Sequence, residues 1–167
     1  LGLAVSESAE GNFEKQSDEP ILKRSSSWYD SDMIASPDII KVGETYTMVY
    51  AGHCYENCQV PAGVRLLGAT STDLIHWEKH DEPVLEANPE LPWMAAYVAE
   101  PSLLVANGKY YLFFTAFADW ENTPPVIGLA EGDSPFGPWE INPEPILMAT
   151  EDWERAWVGA PDVLLED

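Results

Sequence analysis

The sequence is poor in positive charge. Eight Lys and Arg residues stand against 29 Asp and Glu residues, which gives a formal net charge of −21 at pH 7. Proteins that bind nucleic acid neutralise its phosphates with basic side chains, whereas this chain would repel them. The composition therefore excludes nucleic acid as a partner.

Long apolar runs are also missing. No stretch approaches the roughly 18 consecutive apolar residues of a membrane helix, and residues 1–10 lack the basic start and the cleavage pattern of a signal peptide. We therefore expect no membrane span. The chain starts without Met in a run typical of mid-strand, so we also expect that it was cut from a longer protein.

The sequence contains no Gly-rich phosphate loop, no nucleophile elbow and no Cys–His dyad. We therefore expect no cofactor, and neither protease chemistry nor transferase chemistry has residues here to carry it. The two cysteines, Cys54 and Cys58, follow His53 and would supply three metal ligands where structural zinc takes four. We expect no metal site, which leaves a local disulfide or two free thiols. A disulfide would agree with a secreted or periplasmic protein.

What the sequence does contain is a repeat of about sixty residues. One landmark is a Glu-Pro pair followed by two apolar residues, and a second landmark is a proline at the start of an apolar run. Both occur three times in the same register. The first landmark comprises Glu19-Pro20, Glu82-Pro83 and Glu144-Pro145, and the second comprises Ser36-Pro37-Asp38, Glu100-Pro101-Ser102 and Ala160-Pro161-Asp162.

Each repeat contains signals for four short antiparallel strands. The runs 39–42 and 45–51 flank Gly43-Glu44, and the runs 103–106 and 109–116 flank Asn107-Gly108, a dipeptide that suits a type I′ hairpin turn. Third runs lie at 64–70 and 126–131, and the fourth strands centre on residues 76–78 and 138–140. A β-sandwich also has short strands at this spacing, but the long repeat favours a β-propeller built from four-stranded blades.

The chain would then be all-β and would divide at the repeat boundaries. We predict the outer strands of a partial blade at 1–35, full blades at 36–98 and 99–159, and the first strand of a further blade at 160–167. Such a segment leaves open sheet edges. We therefore expect it to associate with the remainder of its own propeller or with a second copy of the chain.

Three phrases resemble the blades of five-bladed propeller glycosidases, namely glycoside hydrolase family 43, with families 32, 68 and 130 as relatives. The phrases are residues 36–46, 69–77 and 107–114. The resemblance implies a glycosidase that acts on polysaccharide or oligosaccharide through paired carboxylates in the propeller channel. It also implies carbohydrate as the partner.

In the family, carboxylates at the starts of innermost strands line the site. The resemblance thus points to Glu100, directly before Pro101, as the first catalytic candidate, and to Asp38 and Asp162 as further candidates. Aspartates at these two positions also fix strand starts by accepting backbone N–H groups. Ser36 and Ala160 precede the other two prolines and cannot act as a base, so the paired set is incomplete in this chain.

Four tryptophans fall in connections between strands, where an indole ring can stack on the C–H face of a sugar. We predict substrate-binding roles for Trp28, Trp93, Trp120 and Trp157, with packing as the alternative for each. Two other functions stay open. A family 130-like glycoside phosphorylase would need a basic cluster for phosphate, and a non-catalytic carbohydrate-binding or assembly propeller would need no base.

Overall fold

The structure, a computed structural model, describes residues 1–26, 28–56, 58–119 and 121–166. These residues form ten β-strands and two short 3₁₀ helices, Pro92–Met94 and Asp152–Glu154, and none of them forms a helix that could cross a membrane. The strands are β1 (Ala4–Val5), β2 (Glu14–Lys15), β3 (Met33–Val42), β4 (Thr45–Cys54), β5 (Gly63–Ser71), β6 (Glu78–Lys79), β7 (Tyr97–Ala106), β8 (Lys109–Phe117), β9 (Val126–Gly132) and β10 (Trp139–Ile141).

Two four-stranded antiparallel sheets, each a simple meander, form the bulk of the chain. The first sheet has the order β3-β4-β5-β6 and the second has the order β7-β8-β9-β10. The β7–β8 hairpin turns at Asn107 and Gly108, whose φ angles of 52° and 76° have the sign that a type I′ turn requires. The β1–β2 pair forms a separate two-stranded sheet. The predicted all-β fold of four-stranded units is therefore confirmed.

The main hydrophobic core lies between the two sheets. It combines buried side chains of β4 and β5 with those of β7, β8 and β9, among them Val49, Leu66, Val98, Leu112 and Phe114. A second cluster covers the other face of the first sheet, where Met48, Tyr50 and Leu67 pack against Leu22 of the N-terminal segment. The first sheet is thus covered on both faces, and this explains why β4 and β5 are buried almost throughout.

The innermost strands begin earlier than the sequence predicted. β3 starts at Met33 and β7 at Tyr97, so Pro37 and Pro101 lie inside strands. Sequence analysis placed the strand starts at Asp38 and Glu100 because these residues precede the apolar runs. Each of these two strands, however, pairs on one side only, and an edge strand tolerates proline at a bulge. The prediction that Asp38 and Glu100 stand at strand starts is therefore wrong.

One side-chain hydrogen bond links the innermost strands of the two sheets, β3 and β7. The backbone N–H of Leu103 donates to Asp38 Oδ2 at 2.6 Å. In the next repeat Ser102 occupies the position of Asp38, and its Oγ accepts the N–H of Val163 at 3.3 Å. The same connection thus recurs from repeat to repeat, between β3 and β7 and between β7 and residues 160–166.

Close packing between the sheets depends on a glycine. A Cβ atom added at Gly68 of β5 would lie 2.5 Å from Phe136 Cε1 and 3.0 Å from Val84 Cγ2. Phe136 belongs to the second sheet, in the connection between β9 and β10. The missing side chain of Gly68 therefore makes room for an aromatic ring from the neighbouring sheet.

We expect Gly68→Ala to lower the free energy of unfolding by about 1–3 kcal/mol, because the added methyl group overpacks this contact. Urea unfolding monitored by tryptophan fluorescence measures the change. Gly2→Ala is the matched control, since nothing lies within 4 Å of a Cβ at Gly2. Equal stability of the two variants would show that Phe136 moves aside at no cost.

Candidate functional site

The residue before each landmark proline has an unusual backbone conformation. Ser36, Glu100 and Ala160 have φ angles of 48°, 50° and 51°, in the left-handed region that non-glycine residues seldom adopt. In β3 and β7 the pairing register also shifts at this point, between Ala35 and Asp38 and between Ala99 and Ser102. A bulge of this kind re-aims a side chain, and strained residues of this kind cluster at functional sites.

The Glu100 carboxylate is fixed by two neighbours. Thr115 Oγ1 of β8 donates to Glu100 Oε2 at 2.7 Å, and the backbone N–H of Ala160 donates to the same oxygen at 3.0 Å. The Ala160 N–H also points at Thr115 Oγ1, at 2.8 Å. Thr115 is fully buried and Glu100 is half-buried. Oε1 accepts no hydrogen bond from the described residues and is the oxygen open to a ligand.

Glu100 lines a cavity of about 210 Å³ between the ends of the two sheets. It supplies the one carboxylate among the described residues of the lining. The other lining residues are Met33, Ala35, Ser36, Ala51, His53, Val64, Tyr97, Ala99, Phe117 and Trp157. The cavity therefore combines apolar and aromatic walls with one oriented acid, as small-molecule sites do.

A wider depression of about 640 Å³ lies beside the outer strand β6, against residues 17–23. Its charged residues include Lys23 and Glu19, which form an exposed ion pair at 2.7 Å. An exposed ion pair of this kind contributes little free energy and does little to fix the orientation of its side chains. We therefore place the candidate site at the Glu100 cavity.

Two cavity residues occupy equivalent positions in the repeats. His53 pairs with Met33 at the beginning of β3, and Phe117 pairs with Tyr97 at the beginning of β7. Burial lowers the pKa of the half-buried His53 imidazole, so the ring is neutral at neutral pH. Sequence analysis missed both as cavity residues because it ended their strands at residues 51 and 116. Alignment of the repeats by their prolines is the signal that could have found them.

The two aspartate candidates lie outside the cavity lining. Asp38 Oδ1 accepts the N–H of Ile39 at 2.9 Å, and its Oδ2 accepts the N–H of Leu103. Asp162 is exposed, in the segment that follows Ala160. The structure thus brings Glu100 to the cavity without Asp38 or Asp162. Catalytic roles for these two aspartates stay predictions.

The tryptophan candidates that the structure describes lie in different surroundings. Trp157 lines the cavity, is 58% exposed and meets Phe117 edge-on at 6.0 Å. Trp93 stacks on Phe114 at 6.1 Å and donates its ring N–H to the Pro143 carbonyl at 2.8 Å. Trp28 is half-buried, with its ring 4.7 Å from that of Tyr29. Trp120 lies outside the described residues.

Cys54 and Cys58 form a disulfide with a Cα–Cα distance of 5.8 Å. Of the two alternatives that the sequence left open, the structure shows the disulfide. Asp32 lies beside it, with a carboxylate oxygen and the two sulfurs within 4.8 Å of one another. Because the sulfurs are bonded to each other, they are not available there as thiolate ligands.

The sequence model of glycosyl hydrolases family 43 matches residues 30–156 of the 167. The matched residues include both four-stranded sheets and the residues that line the Glu100 cavity, except Trp157. The chain belongs to glycosyl hydrolases family 43. The predicted family is therefore confirmed.

Three individual relatives are glycosidases by name. The chain is 38% identical over 69 residues to xylosidase/arabinosidase 43A of Humicola insolens, which covers 41% of this chain and 20% of that protein. The crystal structure of a thermostable family 43 glycoside hydrolase superposes with a TM-score of 0.72 at 24% identity, over 96% of this chain and 51% of the other. A family 117 glycoside hydrolase of the marine bacterium Zobellia galactanivorans gives a TM-score of 0.57 at 22% identity, over 65% of this chain and 37% of the other.

These comparisons place the two sheets as propeller blades of the family 43 type. The chain spans about half the length of the family 43 structure, and its match to the Humicola insolens enzyme spans about a fifth of that enzyme. The chain thus corresponds to a part of the family 43 propeller, and that part includes the Glu100 cavity.

We expect Thr115→Val to lower the free energy of unfolding by about 1–2 kcal/mol, because it removes the hydroxyl between Glu100 and Ala160 without changing the shape of the side chain much. Urea unfolding checks this, with the exposed Thr150→Val as the control. If the two variants lose the same stability, the hydroxyl contributes nothing to the order of the site.

Proposed function

We propose that this chain forms the sugar-binding cavity of a glycoside hydrolase and that Glu100 is a catalytic carboxylate. The observation that carries the proposal is the Glu100 carboxyl group, which is the one acid among the described residues of the cavity. Its Oε2 is bound by Thr115 and by the Ala160 N–H, so Oε1 is left to face a ligand.

Hydrolysis of a glycosidic bond needs a proton for the leaving oxygen and an activated water on the sugar. Glu100 Oε1 can exchange a proton with either of these while Oε2 stays bound. The reaction also needs a second carboxylate about 5–9.5 Å away. Asp38 has both oxygens committed to backbone N–H groups, so within this chain Asp162 is the freer of the two remaining candidates.

We propose xylosides and arabinosides as the substrate class. The support is the name of the Humicola insolens relative, a xylosidase/arabinosidase. The cavity volume of about 210 Å³ also supports a small sugar, since it is below the range of about 300–1,000 Å³ typical of pockets that hold drug-sized ligands. Trp157, which is exposed at the cavity, offers a ring face for the sugar, as predicted from the sequence.

The disulfide supports a secreted or periplasmic location, where such bonds form and persist.

A second candidate function is carbohydrate binding without hydrolysis. The single carboxylate in the described lining favours it, because a binding site needs no acid–base pair. A phosphorylase is less well supported, since no arginine or lysine belongs to that lining.

We expect Glu100→Gln to lower the turnover of 4-nitrophenyl β-xyloside and 4-nitrophenyl α-arabinofuranoside by at least about 100-fold, the loss typical of a missing acid or base. Glu140→Gln, an exposed change in β10, should leave turnover unchanged. Binding is measured in parallel by calorimetry with xylobiose. An unaltered rate in Glu100→Gln would remove Glu100 from the mechanism, and binding by a wild-type chain without turnover would favour the non-catalytic function.

We further propose that the chain pairs with additional propeller strands, from the remainder of its own propeller or from a second copy. The support is a run of exposed apolar side chains near residues 153–165, in which Trp153 is 79% and Leu164 is 84% exposed. Exposed apolar surface of this kind marks interaction sites.

We therefore expect the 167-residue chain alone to form oligomers in sedimentation velocity experiments. Dimers or larger species that dissociate when Leu164 and Trp153 are changed to Ser would agree with this surface. A monomer that melts in one cooperative transition would contradict the proposal.

A further inference from the structure

We propose that Tyr55, in the loop closed by the Cys54–Cys58 disulfide, is a specificity residue that stacks on the second sugar of the substrate. The inference rests on the proposed function, because it takes the Glu100 cavity as the site of the first sugar. Nothing in the sequence patterns singled out Tyr55.

Tyr55 lies at the rim of the cavity. Its ring centroid is 6.0 Å from that of His53, which belongs to the cavity wall, and its side chain is 50% exposed. Burial raises the pKa of the Tyr55 hydroxyl, and the charges of Tyr97 and Asp32 raise it further. One part of the ring thus lies against His53 of the cavity wall while the rest faces solvent.

The loop that carries Tyr55 is held at several points. The Asp32 carboxylate accepts the backbone N–H groups of Tyr55 and of Glu56, the latter at 3.0 Å. These two hydrogen bonds lower the pKa of Asp32, which stays ionised at neutral pH. Cys54 is fully buried, with its sulfur 3.1 Å from Ser31 Oγ, and it ties the loop to Cys58.

A disulfide across so short a loop removes less loop-closure entropy from the unfolded chain than one across a long loop, so its effect on global stability is at the low end of the usual range. It also acts locally, because it restrains Tyr55 and Glu56, which lie between the two cysteines. A half-exposed aromatic ring that is fixed in advance loses little entropy when a ligand binds. The disulfide and Asp32 therefore hold Tyr55 in position for contact with a ligand.

The cavity volume determines which part of the substrate reaches Tyr55. At about 210 Å³ the cavity takes one sugar ring beside Glu100, so the glycosidic bond and the next ring extend outwards to the rim. The C–H face of that second ring is apolar and suits an aromatic platform. Tyr55 would therefore contact the leaving-group sugar of an oligosaccharide and leave the first sugar untouched.

The test compares two substrates of the same sugar that differ in the leaving group. Xylobiose has a second ring, whereas β-xylosyl fluoride has none. We expect Tyr55→Ala to raise KM for xylobiose about tenfold with little change in kcat, and to leave KM for the fluoride unchanged. Tyr55→Phe should restore the wild-type KM, because the ring and not the hydroxyl makes the contact.

Two further variants complete the design. Cys58→Ser frees the loop and should raise KM for xylobiose in the same direction, with a modest fall in the urea midpoint. Phe13→Ala, which removes a 65% exposed ring outside the cavity lining, is the control and should change neither KM.

The outcomes separate the two proposals. If wild type hydrolyses both substrates and Tyr55→Ala changes both KM values alike or neither, the role of Tyr55 is wrong and the proposed function stands. If wild type binds xylobiose in calorimetry without hydrolysis, the catalytic proposal fails, and a tenfold weaker Kd in Tyr55→Ala still supports the platform. Absence of both binding and hydrolysis of xylobiose overturns both.

Discussion

The geometry of this chain depends on how one innermost strand is joined to the next. These strands have no backbone ladder on their inner side, so an acceptor side chain, Asp38 or Ser102, connects each strand to the next through a single N–H group. The link sets the spacing and the relative height of the two sheets. A carboxylate oxygen and a hydroxyl oxygen can both accept this N–H, at 2.6 Å and 3.3 Å respectively, which explains how the repeat keeps its register while the residue changes.

The position of the candidate site follows from that connection. The proline directly before each acceptor lies on an edge strand and is accompanied by a bulge, which leaves the residue before the proline left-handed. Since the linked strands lie side by side, the left-handed residues Ser36, Glu100 and Ala160 come together. Glu100 then reaches the Ala160 N–H and Thr115 because the backbone has turned its side chain towards them. One architectural device thus produces both the propeller contact and the oriented acid.

Much of the fold could be predicted from the sequence because the repeat supplies three aligned copies of the same signals. The hairpin at Asn107-Gly108 follows from those signals, and the family was predicted from the resemblance of three phrases to the blades of known propeller glycosidases. The early starts of β3 and β7 could not be predicted, since proline excludes a strand interior except on an unpaired edge, and only the sheet order identifies that edge. The positions of His53 and Phe117 at the cavity were lost with the strand ends. The position of Tyr55 depends on a disulfide and on the hydrogen bond from its N–H group to Asp32, and neither feature produces a periodic pattern in the sequence.

The Gly68 contact has a consequence for how blades can be exchanged between related proteins. Gly68 belongs to one sheet and the ring it admits, Phe136, belongs to the next, so each blade is shaped by its neighbour as much as by its own sequence. A single blade transplanted from a homologue would bring a glycine without its aromatic partner, or a ring without its space. Recombination between homologous propellers should therefore succeed when adjacent blades are exchanged together, because the interface between them then stays intact.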